Sequence, residues 1–142
     1  MKELIVFTGL QASGKSTFFD LHFKATHVHI NLDVIKSRKK ETRLLEEAFL
    51  KNLSIVIDNT NPTIEARKLY IELAKKHGYK VVAYYFDMSI DLCKKQNSER
   101  DRVVPMVAIY VTRKKLVIPS LSEGFDKVHI ITQANFLTEN LN

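Results

Sequence analysis

Gly9-Leu10-Gln11-Ala12-Ser13-Gly14-Lys15-Ser16 decides the fold of this chain. It matches the pattern Gly-x-x-x-x-Gly-Lys-Ser/Thr, and its surroundings are the ones the pattern requires. The apolar run Leu4–Phe7 reads as a strand leading in, and Lys15 to about Phe23 as a helix leading out. Each residue has a physical task. Gly9 and Gly14 allow the backbone to wrap successive N–H groups around a phosphate, and the helix beginning near Lys15 points its positive dipole end at the same anion. Lys15 places a cation on the β- and γ-phosphates, and the Ser16 hydroxyl is suited to ligating Mg²⁺. Gln11, Ala12, Ser13 and Thr17 complete the candidate ATP-binding set. The expected cofactors are ATP, as phosphate donor, and Mg²⁺.

Outward from this loop, short β-rich runs alternate with helical ones. Candidate strands are Leu4–Phe7, Val28–Ile30, Ser54–Ile57, Val81–Phe86 and Lys127–Ile131. Ile55-Val56-Ile57 is apolar on both faces, as in a parallel sheet covered by helices on both sides. The clearest helix spans about Pro62 to His77, with Ala66, Leu69, Tyr70, Leu73, Ala74 and His77 as its apolar stripe. Asn61 is placed to cap it, Pro62 to open it and Gly78 to end it. Further helices are expected within Val34–Leu50, from near Ser89 and after Pro105. The order predicts one α/β domain over residues 1–142, a three-layer sandwich with a parallel sheet of about five strands flanked by helices.

Composition narrows the function classes. Lys and Arg outnumber Asp and Glu 22 to 16, a net charge of +6, which favours phosphate-rich ligands. The single cysteine, Cys93, excludes an internal disulfide framework or a cysteine-built metal site and suits a reducing compartment. No apolar stretch approaches the roughly 20 residues that cross a bilayer, and no leader is visible. The expectation is a cytoplasmic protein with no membrane partner.

The loop implies nucleotide binding without specifying the reaction. The guanine-reading Asn-Lys-x-Asp pattern is absent. Phosphoryl transfer to a hydroxyl needs a base, and Asp33 is the best candidate. It follows the second strand, where a parallel sheet exposes its C-terminal strand ends beside the phosphate loop. Lys36, three residues on, is expected on the same helical face, placed to bind an acceptor phosphate. The bland alternative makes Asp33 only the cap of the next helix. Asp58 ends the third strand, suited to touch the metal's water shell or to orient its neighbours, with Asn59 and Thr60 facing the same cleft. Asp58 and Thr60 join Lys36 as candidate acceptor-binding residues.

With these pieces placed, the chain resembles the kinase domain of the polynucleotide 5′-hydroxyl kinase family, within the P-loop phosphotransferases. Asn31-Leu32-Asp33 is similar to the family's Asn-Arg-Asp, and Asp58-Asn59-Thr60-Asn61-Pro62 to its Asp-Asn-Thr-Asn-Pro, with Ala66-Arg67 following. Asn97-Ser98-Glu99-Arg100 with Val104-Pro105 looks like the lid, and Glu123-Gly124-Phe125-Asp126 resembles the turn before the last strand. The resemblance implies a small helical lid at about 96–115 and transfer of the γ-phosphate of ATP to a 5′-hydroxyl end of DNA or RNA. Asp33 would take the proton, Lys15 would neutralise charge, and Arg100 would bind ATP and stabilise the transferring phosphoryl. Two positions depart from the pattern: the first lid arginine falls at Gln96, and the acceptor-side arginine at Lys36. No Asp-x-Asp-Gly-Thr phosphatase motif is present, so a phosphatase or ligase partner would be a separate protein. Two alternatives stay open on the residues: a small-molecule kinase acting on a nucleoside, sugar or antibiotic hydroxyl, and an ATP-dependent binding or switch module.

Overall fold

In a computed structural model that describes residues 2–138, β1 (Glu3–Gly9) forms the centre of a five-stranded parallel sheet. Its alternating side chains supply both cores, as the period of two requires. Leu4 and Val6 pack with Leu45, Phe49, Tyr70 and Ala74 on one side. Ile5 and Phe7 pack with Phe18, Phe19, Cys93 and Ile109 on the other. Leu4–Phe7 is apolar on both faces, so a one-residue slip of register would exchange one core for the other.

The chain continues through α1 (Lys15–His22), β2 (Val28–Ile30), α2 (Leu32–Ile35), α3 (Arg38–Leu50), β3 (Ile55–Asp58) and α4 (Ile64–Lys76). Then come β4 (Lys80–Phe86), α5 (Ile90–Ser98), α6 (Met106–Lys115), a 3₁₀ turn at Leu121–Glu123 and β5 (Lys127–Ile131). The strand order is β2-β3-β1-β4-β5, all pairs parallel. The expected α/β sandwich is present. β1 is flanked by β3 and β4, so the chain leaves β1 at the point where the two halves of the sheet diverge, the place where such sheets bind ligands.

The helix expected within Val34–Leu50 is α3, and the short α2 before it is an addition: Lys36 turns left-handed at φ 60 between the two, and Ser37 caps the new start, its hydroxyl accepting from Lys40 N. Two expectations about α4 are corrected. The α4 cap is Thr63, whose hydroxyl accepts from Ala66 N at 3.1 Å, and α4 begins at Ile64 rather than at Pro62. Asn61 instead faces inward at φ 40, donating to Phe7 O at 2.9 Å. The buried stripe of α4 is also rotated: Arg67, Tyr70, Ile71 and Ala74 face the core, and Leu69 is exposed. Arg67 is fully buried because Nε and Nη2 each meet a Glu123 carboxylate oxygen at 2.9 Å, while Nη1 donates to Asn61 O at 3.0 Å. This bidentate pair pins the Glu123-Gly124-Phe125-Asp126 turn to α4 and to the segment after β3.

Candidate active site

The phosphate loop folds tightly between β1 and α1. Gly14 precedes α1 at φ 96, and a Cβ there would come within 3.0 Å of the Phe136 ring. Gly9 is required for a different reason, since its Cβ would lie 2.9 Å from Phe86 Cβ across the β1–β4 pairing. Close approach, not a left-handed backbone, fixes that glycine. Lys15 is buried, and its Nζ donates to Gly9 O at 3.2 Å and Leu10 O at 2.8 Å. Burial lowers its pKa, while the negative charge of Asp58 works in the opposite direction. Ser13 Oγ and Gln11 Oε1 are buried without a hydrogen-bond partner among the described residues. Buried polar atoms are rarely left so; the Ser13 hydroxyl can donate to an anion held by the loop, whereas Gln11 Oε1, an acceptor, cannot.

A cleft of about 510 Å³ opens over this loop. It is lined by Gln11, Ala12, Gly14, Lys15, Ser16 and Thr17 from the loop, Asp33 from α2, Asp58 and Thr60 from the end of β3, and Arg100. The structure thus brings most of the expected site residues together. Gly9 and Ser13 do not line this cleft; Ser13 lines the smaller cavity beside it. Lys36 is the exception: its left-handed turn ends α2 and removes it from the cleft lining, so it does not continue the face of Asp33.

Asp33 is not a cap. Asn31 caps α2, its Oδ1 accepting from Asp33 N at 2.9 Å, and Ser37 caps α3. Asn59 Oδ1 takes Leu32 N at 2.9 Å, and Arg102 Nη1 donates to Asp33 O at 3.0 Å. The backbone carrying Asp33 is therefore held from three sides while its side chain remains exposed to the cleft.

Asp58 and Ser16 form the candidate metal-side pair. Ser16 Oγ donates to Asp58 Oδ2 at 2.7 Å, and His29 Nε2 meets the same oxygen at 2.7 Å while stacking on Phe19 at 3.9 Å. A hydroxyl and a carboxylate are hard oxygen donors, which suits Mg²⁺ held through one or two protein groups with phosphates and water completing the shell. Among the described residues no cluster of three or more His, Cys, Asp or Glu forms a self-sufficient metal site. The donor set fits a metal that arrives with a nucleotide.

Helices α5 and α6, which bracket the segment expected as a lid, are tied to the phosphate loop by two amides. Gln96 Nε2 of α5 bonds Ala12 O, and Gln11 Nε2 donates to Thr112 Oγ1 of α6 at 3.0 Å. Asn97 staples the intervening segment through both Val104 N, at 3.0 Å, and Val104 O, at 2.8 Å. That staple shapes the turn presenting Arg100 and Arg102. A second cavity of about 310 Å³ adjoins the first at Gly14, Thr17 and Gln96, with Met88, Leu92, Phe136 and Leu137 as apolar walls and Gln133 at its edge. Asn59 lines the cleft as expected, and its hold on Leu32 N is the added finding; sequence reasoning missed His29 and Arg38. The strand period places His29 on the α1 side, a usable signal; Arg38 enters the cleft only through the break at Lys36.

Residues 4–116 match the family described as AAA domain. The chain belongs to the AAA domain family. Two curated relatives carry the name bifunctional polynucleotide phosphatase/kinase, the first provisionally. That of Acanthamoeba polyphaga mimivirus is 38% identical over 92% of this chain, and that of Schizosaccharomyces pombe is 31% identical over 89%. This AAA domain spans about a third of either relative, 33% in each case. Among solved structures, a sugar kinase of Janibacter superposes with a TM-score of 0.68 at 14% identity, covering 96% of this chain and 91% of that one. The AAA domain described here is a P-loop kinase domain in fold and motif, and no helix among the described residues is long and apolar enough to cross a membrane.

Proposed function

We propose that this chain transfers the γ-phosphate of ATP to the 5′-hydroxyl end of DNA or RNA. The observation that carries the reading is one cleft lined at once by Lys15, Asp33 and Arg100. A nucleotide-binding switch has no need of an exposed carboxylate opposite its phosphate loop. The likeness to the two phosphatase/kinase relatives supports a polynucleotide as the acceptor.

In this reading the triphosphate lies along the loop N–H groups, and the donor base enters the smaller cavity between Leu92 and Phe136. Ser16 and Asp58 are the groups that would hold Mg²⁺, which when bound would supply charge neutralisation to the phosphates. Asp33 accepts the proton of the 5′-hydroxyl as its oxygen forms the new bond to the γ-phosphorus and the bond to the leaving ADP oxygen breaks. Lys15 and Arg100 balance the charge spread over the transferring oxygens, where positioning and electrostatics dominate.

The test is incubation with Mg²⁺ and γ-labelled ATP over a panel of 5′-hydroxyl DNA, RNA, nucleoside 3′-phosphates and sugars. Label is expected on 5′-hydroxyl ends; label confined to sugars would overturn the acceptor, and release of free phosphate alone would leave only a hydrolase. In the same assay Asp33→Ala is expected to keep ATP affinity and lose transfer. Lys15→Ala is expected to lose both. Normal transfer by Asp33→Ala removes Asp33 as base.

A further inference from the structure

The family pattern expects an arginine at position 36, and this chain has Lys36, which does not line the cleft. Two residues later stands Arg38, the first residue of α3, which does line the cleft. Its setting is that of a braced group. Nη1 donates to Glu41 Oε1 at 3.2 Å and to Tyr70 Oη at 3.1 Å. Glu41 is buried, 2% exposed, whereas the Arg38 side chain is 72% exposed. One edge of the guanidinium is thus anchored on a buried carboxylate. Among the described residues Nε and Nη2 have no partner, which leaves the two-donor edge that matches a phosphate.

The brace also reaches the candidate base. Glu41 Oε2 accepts from Tyr70 Oη at 2.9 Å and from Asn59 Nδ2 at 3.5 Å, and Asn59 Oδ1 holds Leu32 N, one residue before Asp33. Arg38 and Asp33 therefore hang on one hydrogen-bonded frame. A phosphate gripped by the first fixes a hydroxyl relative to the second.

We propose that Arg38, rather than Lys36, binds the acceptor phosphate one nucleotide in from the 5′-hydroxyl, restoring from a new position the fork lost at 36. This rests on the polynucleotide reading above. It assigns the same cleft a second anion subsite, for a phosphate monoester or diester on the 3′ side of the reacting nucleoside.

The experiment compares kcat/KM for a nucleoside 3′-monophosphate with that for the nucleoside lacking the phosphate, in the unsubstituted protein and in Arg38→Ala, Arg38→Gln, Arg38→Lys and Lys36→Ala. The unsubstituted protein is expected to prefer the phosphorylated acceptor. Hydrogen bonds to charged groups contribute enough that Arg38→Ala and Arg38→Gln should shrink the preference by about 10- to 100-fold. Arg38→Lys should retain part of it, Lys36→Ala all of it, and KM for ATP should stay constant in every variant. Arg38→Gln keeps a hydrogen-bonding side chain beside Glu41 and carries the test if Arg38→Ala does not fold. The proposal is overturned if the preference survives loss of Arg38, if it disappears with Lys36→Ala, or if both acceptors lose rate equally, which is the mark of a purely structural brace. Transfer to neither acceptor by the unsubstituted protein would instead defeat the 5′-kinase reading, and this proposal with it.

Discussion

Arg100 and Arg38 line the same cleft, one from the segment between α5 and α6 and one from the start of α3. Their roles differ in what each would touch. In the proposed reaction Arg100 would stabilise the transferring phosphoryl, so Arg100→Ala should lower turnover by about 10³-fold or more, the scale of comparable positioned arginines, with a smaller effect on acceptor KM. A larger change in acceptor KM than in kcat would assign Arg100 to the acceptor. At this scale the sequence revealed what a local pattern carries. Lys15 and Ser16 follow from the loop motif, and Asp33 from its place after a strand. Arg38 was invisible because its position depends on Lys36 adopting φ 60, a tertiary choice that no helical period encodes. Gln96 appeared only as a missing arginine, whereas the structure gives it a bond to Ala12 O.

Elements were easier to find than to orient. All five strands were legible, because runs apolar on both faces and bounded by loops have few alternatives in an α/β chain. The rotation of α4 was not, since counting apolar residues puts a charged Arg67 outside. The protein buries it by pairing it with Glu123, 56 residues later, and no local window contains both partners. That pair gives a prediction about stability. Glu123 is only 4% exposed and also accepts from Ser120 N at 3.0 Å, so Arg67→Ala leaves a buried carboxylate unpaired. Removing one partner of a buried pair costs about 3–5 kcal/mol, and denaturant unfolding of Arg67→Ala should show a midpoint lowered accordingly. Replacing both residues by apolar ones of similar volume should cost less than the single change. A single-variant loss below about 1 kcal/mol would mean that Glu123 finds water or another donor instead.

For the whole molecule, the basic residues behind the net charge of +6 lie outside the cleft as well as in it. Lys39, Lys40 and Arg43 are exposed on α3, continuing from Arg38, and Arg113, Lys114 and Lys115 are exposed at the end of α6. If the acceptor is a polynucleotide, phosphates beyond the reacting nucleotide meet such charges and release counterions. The logarithm of acceptor affinity should then fall linearly with the logarithm of salt concentration, each neutralised phosphate on a single strand adding about 0.7 to the slope. Three acceptors separate the global from the local contribution. A 5′-hydroxyl oligonucleotide should show the steepest dependence, a nucleoside 3′-monophosphate a shallower one, and a nucleoside almost none. Arg38→Ala should reduce the oligonucleotide slope by about 0.7, one phosphate's share, whereas replacing Arg113 and Lys114 together should change it only if the strand also runs over α6. Equal slopes for oligonucleotide and nucleoside would show that the basic surface does not engage the acceptor, leaving its recognition to the cleft alone.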